Sequence, residues 1–107
     1  MNQRNDNILA FTWYRKEEYE KLLEVTPDPE ELAADYEQWL DEARQAFDKY
    51  ERMGFEPRRV YLEVDDYVAW CRTRDRQIDQ HSRELYKEIR RREFYRGLDE
   101  ESDEMEA

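Results

Sequence analysis

The chain predicts an α+β domain, mostly helical, in the order β-α-α-β-α-α with a small two-stranded sheet. Three patterns carry that expectation. Ile8 to Tyr14 is a short aromatic and β-branched run, Val60 to Val64 alternates with period two, and apolar residues recur at helical spacing from Leu32 to Met53. The two strands should pair, because a lone strand leaves its backbone groups unbonded, and the helices should cover one face. An all-helical fold, with Ile8 to Tyr14 irregular, is the alternative.

Each element follows from local chemistry. Met1 to Asn7 is polar and reads as a flexible arm. In Arg15 to Glu24, Tyr19, Leu22 and Leu23 fall at i, i+3 and i+4 among charged residues, which is a short amphipathic helix. Pro27 and Pro29 stop it. Asp28 then fits the cap of a long helix, with Pro29 in its first position and Glu30 and Glu31 in its first turn. Leu32, Tyr36, Trp39, Ala43, Ala46, Tyr50 and Met53 form an unbroken heptad seam, widened by Leu40 and Phe47. Gly54 is a natural left-handed stop.

The second strand spans Arg58 to Val64. Asp65 or Asp66 can cap a short helix holding Tyr67, Val68, Trp70 and Cys71. A break at Arg74 to Gln77 precedes a last helix capped by Asp79 and ended by Gly97. Leu98 to Ala107 holds six acids and no base, the composition of a disordered acidic tail. The compact domain is therefore expected over residues 8–97.

Composition narrows function. The chain has 107 residues, 18 basic and 29 acidic, for a net charge of −11. One domain of this size buries roughly 65% of its extended surface. One cysteine excludes an internal disulfide framework. One cysteine and one histidine cannot supply a tetrahedral zinc site without carboxylates, and no metal or other cofactor is expected. No apolar run approaches the roughly 20 residues of a membrane helix, and Ile8 to Phe11 is too short for a signal-peptide core. A cytoplasmic protein is expected.

Charge is segregated. Arg15 to Glu56 has net −8, Pro57 to Gly97 has net +3, and the tail adds −6. In the last helix, Arg83, Lys87, Arg90 and Arg91 share a face by 3-4 spacing and could grip phosphates. Pairing with Glu84, Glu88 and Glu93 is the commoner use of such a run, and net −11 repels a polyanion, so direct nucleic-acid binding is disfavoured. Acids along the first helices, Glu31, Asp35 and Glu42 among them, usually make a solvated face; closely spaced on a surface, they can also imitate DNA phosphates. The candidate interaction surface is thus Arg83, Lys87, Arg90, Arg91, Glu31, Asp35 and Glu42.

No catalytic constellation emerges. Cys71 beside Trp70 reads as core, and His81, ten residues on, reads as a surface residue. Two glycines cannot build a phosphate loop, and no Gly-x-Ser-x-Gly elbow exists. The seven aromatics Trp13, Tyr14, Tyr36, Trp39, Tyr61, Tyr67 and Trp70 read as core before they read as a ligand pocket. The expectation is a small acidic non-enzymatic module that binds another protein. A DNA mimic and a binder of nucleic acid through the last helix are the alternatives. The long seam should bury against the last helix and Val60 to Val64, and its width points to a homodimer.

The chain also resembles a group of small bacterial proteins of about this length. The shared features are Trp13-Tyr14-Arg15, Tyr36-x-x-Trp39-Leu40, Gly54, the strand Val60 to Val64 and Trp70-Cys71-Arg72. Such proteins then show a glycine-containing turn, an Asp, and Ala-Arg before an aromatic. Here Asp75 stands at the glycine and Ser82 at the alanine, followed by Arg83 and Tyr86. The resemblance spans Phe11 to Tyr95. The group has no established activity, so what it implies is a compact bacterial domain and no catalytic residue.

Overall fold

The computed structural model describes residues 7–106, with side chains described from residue 7 to residue 99. The expected arm at residues 1–7 lies almost wholly outside them. Strand β1 is Ile8–Trp13, helix α1 Lys16–Val25, a 3-10 turn Pro29–Glu31, helix α2 Tyr36–Arg52, strand β2 Glu56–Tyr61, helix α3 Val64–Thr73 and helix α4 Gln80–Glu106. The mostly helical α+β class with a two-stranded sheet is what the sequence predicts.

The strands pair in parallel, in register from Ile8 opposite Glu56 to Trp13 opposite Tyr61. A parallel pair needs a crossover, and α1, the 3-10 turn and α2 supply it. Helices cover both faces rather than one. Successive strand residues point to opposite sides. Phe11 and Trp13 turn to α2, where Phe11 meets Phe47 and Tyr50 at 5.9 and 5.6 Å, and Trp13 meets Trp39 at 5.3 Å. Thr12 turns the other way, to Arg91 of α4 at 3.5 Å. Tyr95 of α4 accepts the Ala10 N–H at 2.7 Å. The seam of the long helix therefore packs on β1, and the expected packing against the last helix is replaced by a sheet between the two.

The long helix starts later than the heptad spacing implies. Asp28 makes no side-chain cap, and Leu32 is extended at φ −117° and ψ 157°. The reason is tertiary. The Asp28 carboxylate accepts from Arg83 and from the backbone of Gln80 instead. The Tyr19 hydroxyl donates to the carbonyl of Ala33 at 2.5 Å and fixes the link outside the helix. Asp35 becomes the cap, accepting from the Gln38 N–H at 2.8 Å.

Other boundaries move for similar reasons. β2 ends at Tyr61, and Val64 opens α3 instead of closing the strand. Neither Asp65 nor Asp66 caps α3; both lie in its first turn, where their charge suits the helix dipole. The Val64 N–H is taken at 2.7 Å by Glu18 of α1. Asp79 does cap α4, accepting from the Ser82 N–H at 3.1 Å. Gly54 stops α2 at φ +99°. Gly97 does not stop α4, whose helical backbone continues to Glu106. Asp75 has φ +54°, a left-handed conformation at the position where the resembling proteins carry glycine.

The core joins α1, α3 and α4 with Tyr14 and Leu62, which follow the two strands. Tyr19, Leu22, Tyr67 and Cys71 are wholly buried, and Tyr14, Leu62, Val64 and Tyr86 nearly so. Burying a large apolar side chain contributes about 1.5–3 kcal/mol. No residue of α2 is fully buried. Trp39 is half-buried, yet its ring meets Trp13, Tyr14, Tyr19 and Tyr36 within 5.3–5.7 Å. Trp39→Ala is expected to cost about 2–3 kcal/mol, short of the roughly 3–5 kcal/mol of a fully buried tryptophan. Urea unfolding measures it, and a midpoint unchanged from wild type would show that the cluster contributes nothing.

Candidate functional site

The four cations expected on one face of the last helix are separated by packing. Arg83 is 2% exposed and belongs to the interior. Its Nη1 donates to the Thr26 hydroxyl at 2.6 Å and to Asp28 Oδ1 at 3.0 Å. Its Nη2 is buried with no partner among the described residues, an arrangement that an ordered water ordinarily completes. The Arg83 guanidinium also acts on the buried phenols around it. Burial raises the Tyr14 and Tyr67 hydroxyls far above their usual range, and the positive charge only partly offsets this.

The other three cations find acids on their own helix. Lys87 pairs with Glu84 at 2.9 Å, Arg90 with Glu93 at 2.7 Å, and Arg91 with Glu88 at 2.9 Å. Arg92 also reaches Glu88, at 3.4 Å. Arg91 and Arg92 together hold the Glu88 carboxyl below its usual pKa. Lys87 and Arg91 line a groove beside β1, while Arg90 lines a different one with Trp70 and Tyr86. No shared cationic face survives.

The acids behave differently. Glu31 ends the 3-10 turn, Asp35 caps α2, and Glu42 accepts from the side chain of Gln38 at 3.3 Å. All three are exposed. Glu42 and Asp35 both face the Tyr19 hydroxyl and add to the upward shift that burial gives it. Glu20 and Glu24 on α1, Glu30 and Glu31 on the turn, and Glu37, Asp48 and Glu51 on α2 form no ion pair among the described residues.

A cleft that sequence reading missed lies at the carboxyl ends of the two strands. Trp13 and Tyr14 leave β1, Arg15, Lys16 and Glu17 enter α1, Tyr36, Leu40 and Arg44 come from α2, and Arg59 and Tyr61 from β2. Its volume is about 380 Å³. The Arg59 guanidinium lies 4.4 Å from the centre of the Trp13 ring, and Arg15 lies 4.2 Å from that of Tyr61. The Tyr36 hydroxyl donates to the carbonyl of Tyr14 at 3.2 Å. Four cations from three separate stretches of the sequence meet here, which no local motif could announce.

Cys71 and His81 do not form a catalytic pair. Cys71 is buried against Tyr67, His81 is exposed, and no hydrogen bond joins them among the described residues. Among those residues no group of three His, Cys, Asp or Glu is placed to hold a metal ion, and no helix is long and apolar enough to cross a membrane. No family model matches the chain, and no curated protein or solved structure is significantly similar to it.

The Arg83 cluster has a pH signature. The Thr26 hydroxyl, the Arg83 guanidinium and the Gln80 N–H hold the Asp28 carboxyl at about 2, below its usual 3.8. A lowered folded-state pKa stabilises the fold above the unfolded value; that contribution fades as pH falls from about 4 to 2. Asp28→Asn is therefore expected to lower the melting temperature at pH 7 and to approach wild type near pH 2. A constant difference across that range would refute the ion-pair account. Arg83→Met removes the buried cation but leaves Asp28 its bonds from Thr26 and Gln80, and it should lower the melting temperature at pH 7.

Proposed function

We propose that the protein is a small, non-enzymatic protein-interaction module that presents carboxylates to a basic partner. The observation that carries this reading is the contrast in pairing. Arg83 of α4 is buried and Lys87, Arg90, Arg91 and Arg92 pair with acids of their own helix, whereas the exposed acids of α1, the 3-10 turn and α2 form no ion pair among the described residues. Glu37, Asp41 and Asp48 recur along one side of α2. Such a surface steers association with a positively charged protein and sets its orientation more than it sets affinity.

A DNA-binding protein is the second reading, because these spaced carboxylates can occupy a phosphate-binding surface. Binding of nucleic acid by α4 itself has less support, since Arg83 faces the core. The lone, buried Cys71 thiol suits a reducing cytoplasm. A second copy of this chain is a further partner. β1 covers the aromatic seam, so a second copy would meet the exposed Met53 and Phe55 at the carboxyl end of α2.

Two measurements test this. Immobilised protein should retain a basic partner from lysate at low salt and release it at high salt, and Glu37→Lys with Asp48→Lys should abolish retention. Equal retention by the reversed variant would refute the carboxylate surface, and displacement of the partner by duplex DNA would select the mimic. Sedimentation equilibrium should give twice the 13.4 kDa chain mass, and Met53→Lys should halve it. A wild-type monomer at high micromolar concentration would remove the dimer.

A further inference from the structure

The geometry points to a binding site for a small organic phosphate monoester in the cleft at the carboxyl edge of the sheet. The inference is independent of the acidic surface, because the cleft is lined by cations and the two can fail separately.

Charge comes first. Arg15, Lys16, Arg44 and Arg59 line the cleft, against the single carboxylate of Glu17. Arg15 is engaged by Glu63 at 2.6 Å. The other three form no ion pair among the described residues. In a chain of net charge −11, three unpaired cations converging on one concavity are a local reversal of field. Three cations are matched better by a dianion than by one carboxylate, and a phosphate monoester is a dianion near neutral pH whose oxygens suit guanidinium donors.

Position agrees with charge. The cleft sits outside the carboxyl ends of a parallel strand pair, where open α/β sheets commonly receive ligands. It also meets the start of α1. Arg15 caps that helix without a side-chain hydrogen bond, and the first helical N–H with a backbone partner is that of Tyr19, bonded to Arg15 O at 2.9 Å. The preceding amides are free to donate to an anion. The Arg59 guanidinium lies over the Trp13 ring at 4.4 Å and within 5.6 Å of the Phe47 ring, cation–π contacts that position it.

The walls select an organic phosphate over the free ion. Tyr36, Leu40 and Tyr61 are half-buried, and they offer ring and methyl surface next to the cations. The volume of about 380 Å³ lies within the range of small-ligand sites, roughly 300–1,000 Å³.

Adenosine monophosphate, inorganic phosphate and adenosine serve as probes in isothermal titration calorimetry on the full chain. The expected result is saturable binding of the monophosphate, weaker binding of inorganic phosphate and none of adenosine. Arg44→Ala and Lys16→Ala change exposed side chains and should each weaken the monophosphate about tenfold with an unchanged melting curve. Arg72→Ala, on α3 away from the cleft, should bind as wild type. Absence of saturable monophosphate binding, or binding indifferent to Arg44 and Lys16, overturns the site. Equal binding of inorganic phosphate overturns the organic ligand. A single-stranded oligonucleotide bound where the monophosphate is not would also overturn it, in favour of a polymer groove.

Discussion

Arg83 and the two side chains that receive it hold the arrangement together. The arginine closes the first turn of α4, and Thr26 and Asp28 come from the link after α1. Asp28 also accepts the N–H of Gln80 at 2.8 Å, and the Thr26 hydroxyl lies 3.1 Å from the carbonyl of Ile78. One cluster thus fixes where α4 begins and how it meets α1. Removing two charges from water is costly, and a pair this buried repays the cost only when its geometry is satisfied on several sides. That makes the cluster a device of registry. With α4 placed, Tyr86 meets Tyr67 and Trp70, each with ring centres 5.3 Å apart, and Arg91 and Tyr95 come to β1.

The same cluster explains why α2 is short and where the cleft falls. With its carboxylate committed to Arg83 and Gln80, Asp28 cannot cap a helix starting at Pro29. The chain makes a 3-10 turn, passes Ala33 to the Tyr19 hydroxyl, and begins α2 at Tyr36. Tyr36, Leu40 and Arg44 then line up along the crossover and close one wall of the cleft at the ends of the strands.

Electrostatics divides the molecule in a way that net charge conceals. Pairs such as Lys87 with Glu84 are exposed and i,i+3 apart, worth only tenths of a kcal/mol each, but they remove a cationic face from solution. Apart from Glu18, which pairs with Lys21, the carboxylates of α1 and α2 form no ion pair among the described residues. At the cleft, aromatic rings hold Arg15 and Arg59, where they add charge without a matching number of acids.

The amino-acid sequence alone determined whatever depends on neighbours in the chain. Hydrophobic period placed β1, α1, α3 and the body of α2; Gly54 and Asp79 ended and began helices as local chemistry requires; Cys71 was legible as core. Tertiary structure decided whatever depends on residues far apart. It ran the strands parallel and put the sheet between α2 and α4. Asp28 was withdrawn from its cap, Glu18 lent to the start of α3, and Arg83 turned inward although its spacing matched Lys87, Arg90 and Arg91. The cleft was invisible for the same reason, since Lys16, Arg44 and Arg59 become neighbours only after the crossover closes. Periodicity reports which side of an element is apolar. It carries no information on which distant side chain will claim a buried charge, because that is settled by the free energy of desolvation and pairing in the folded interior.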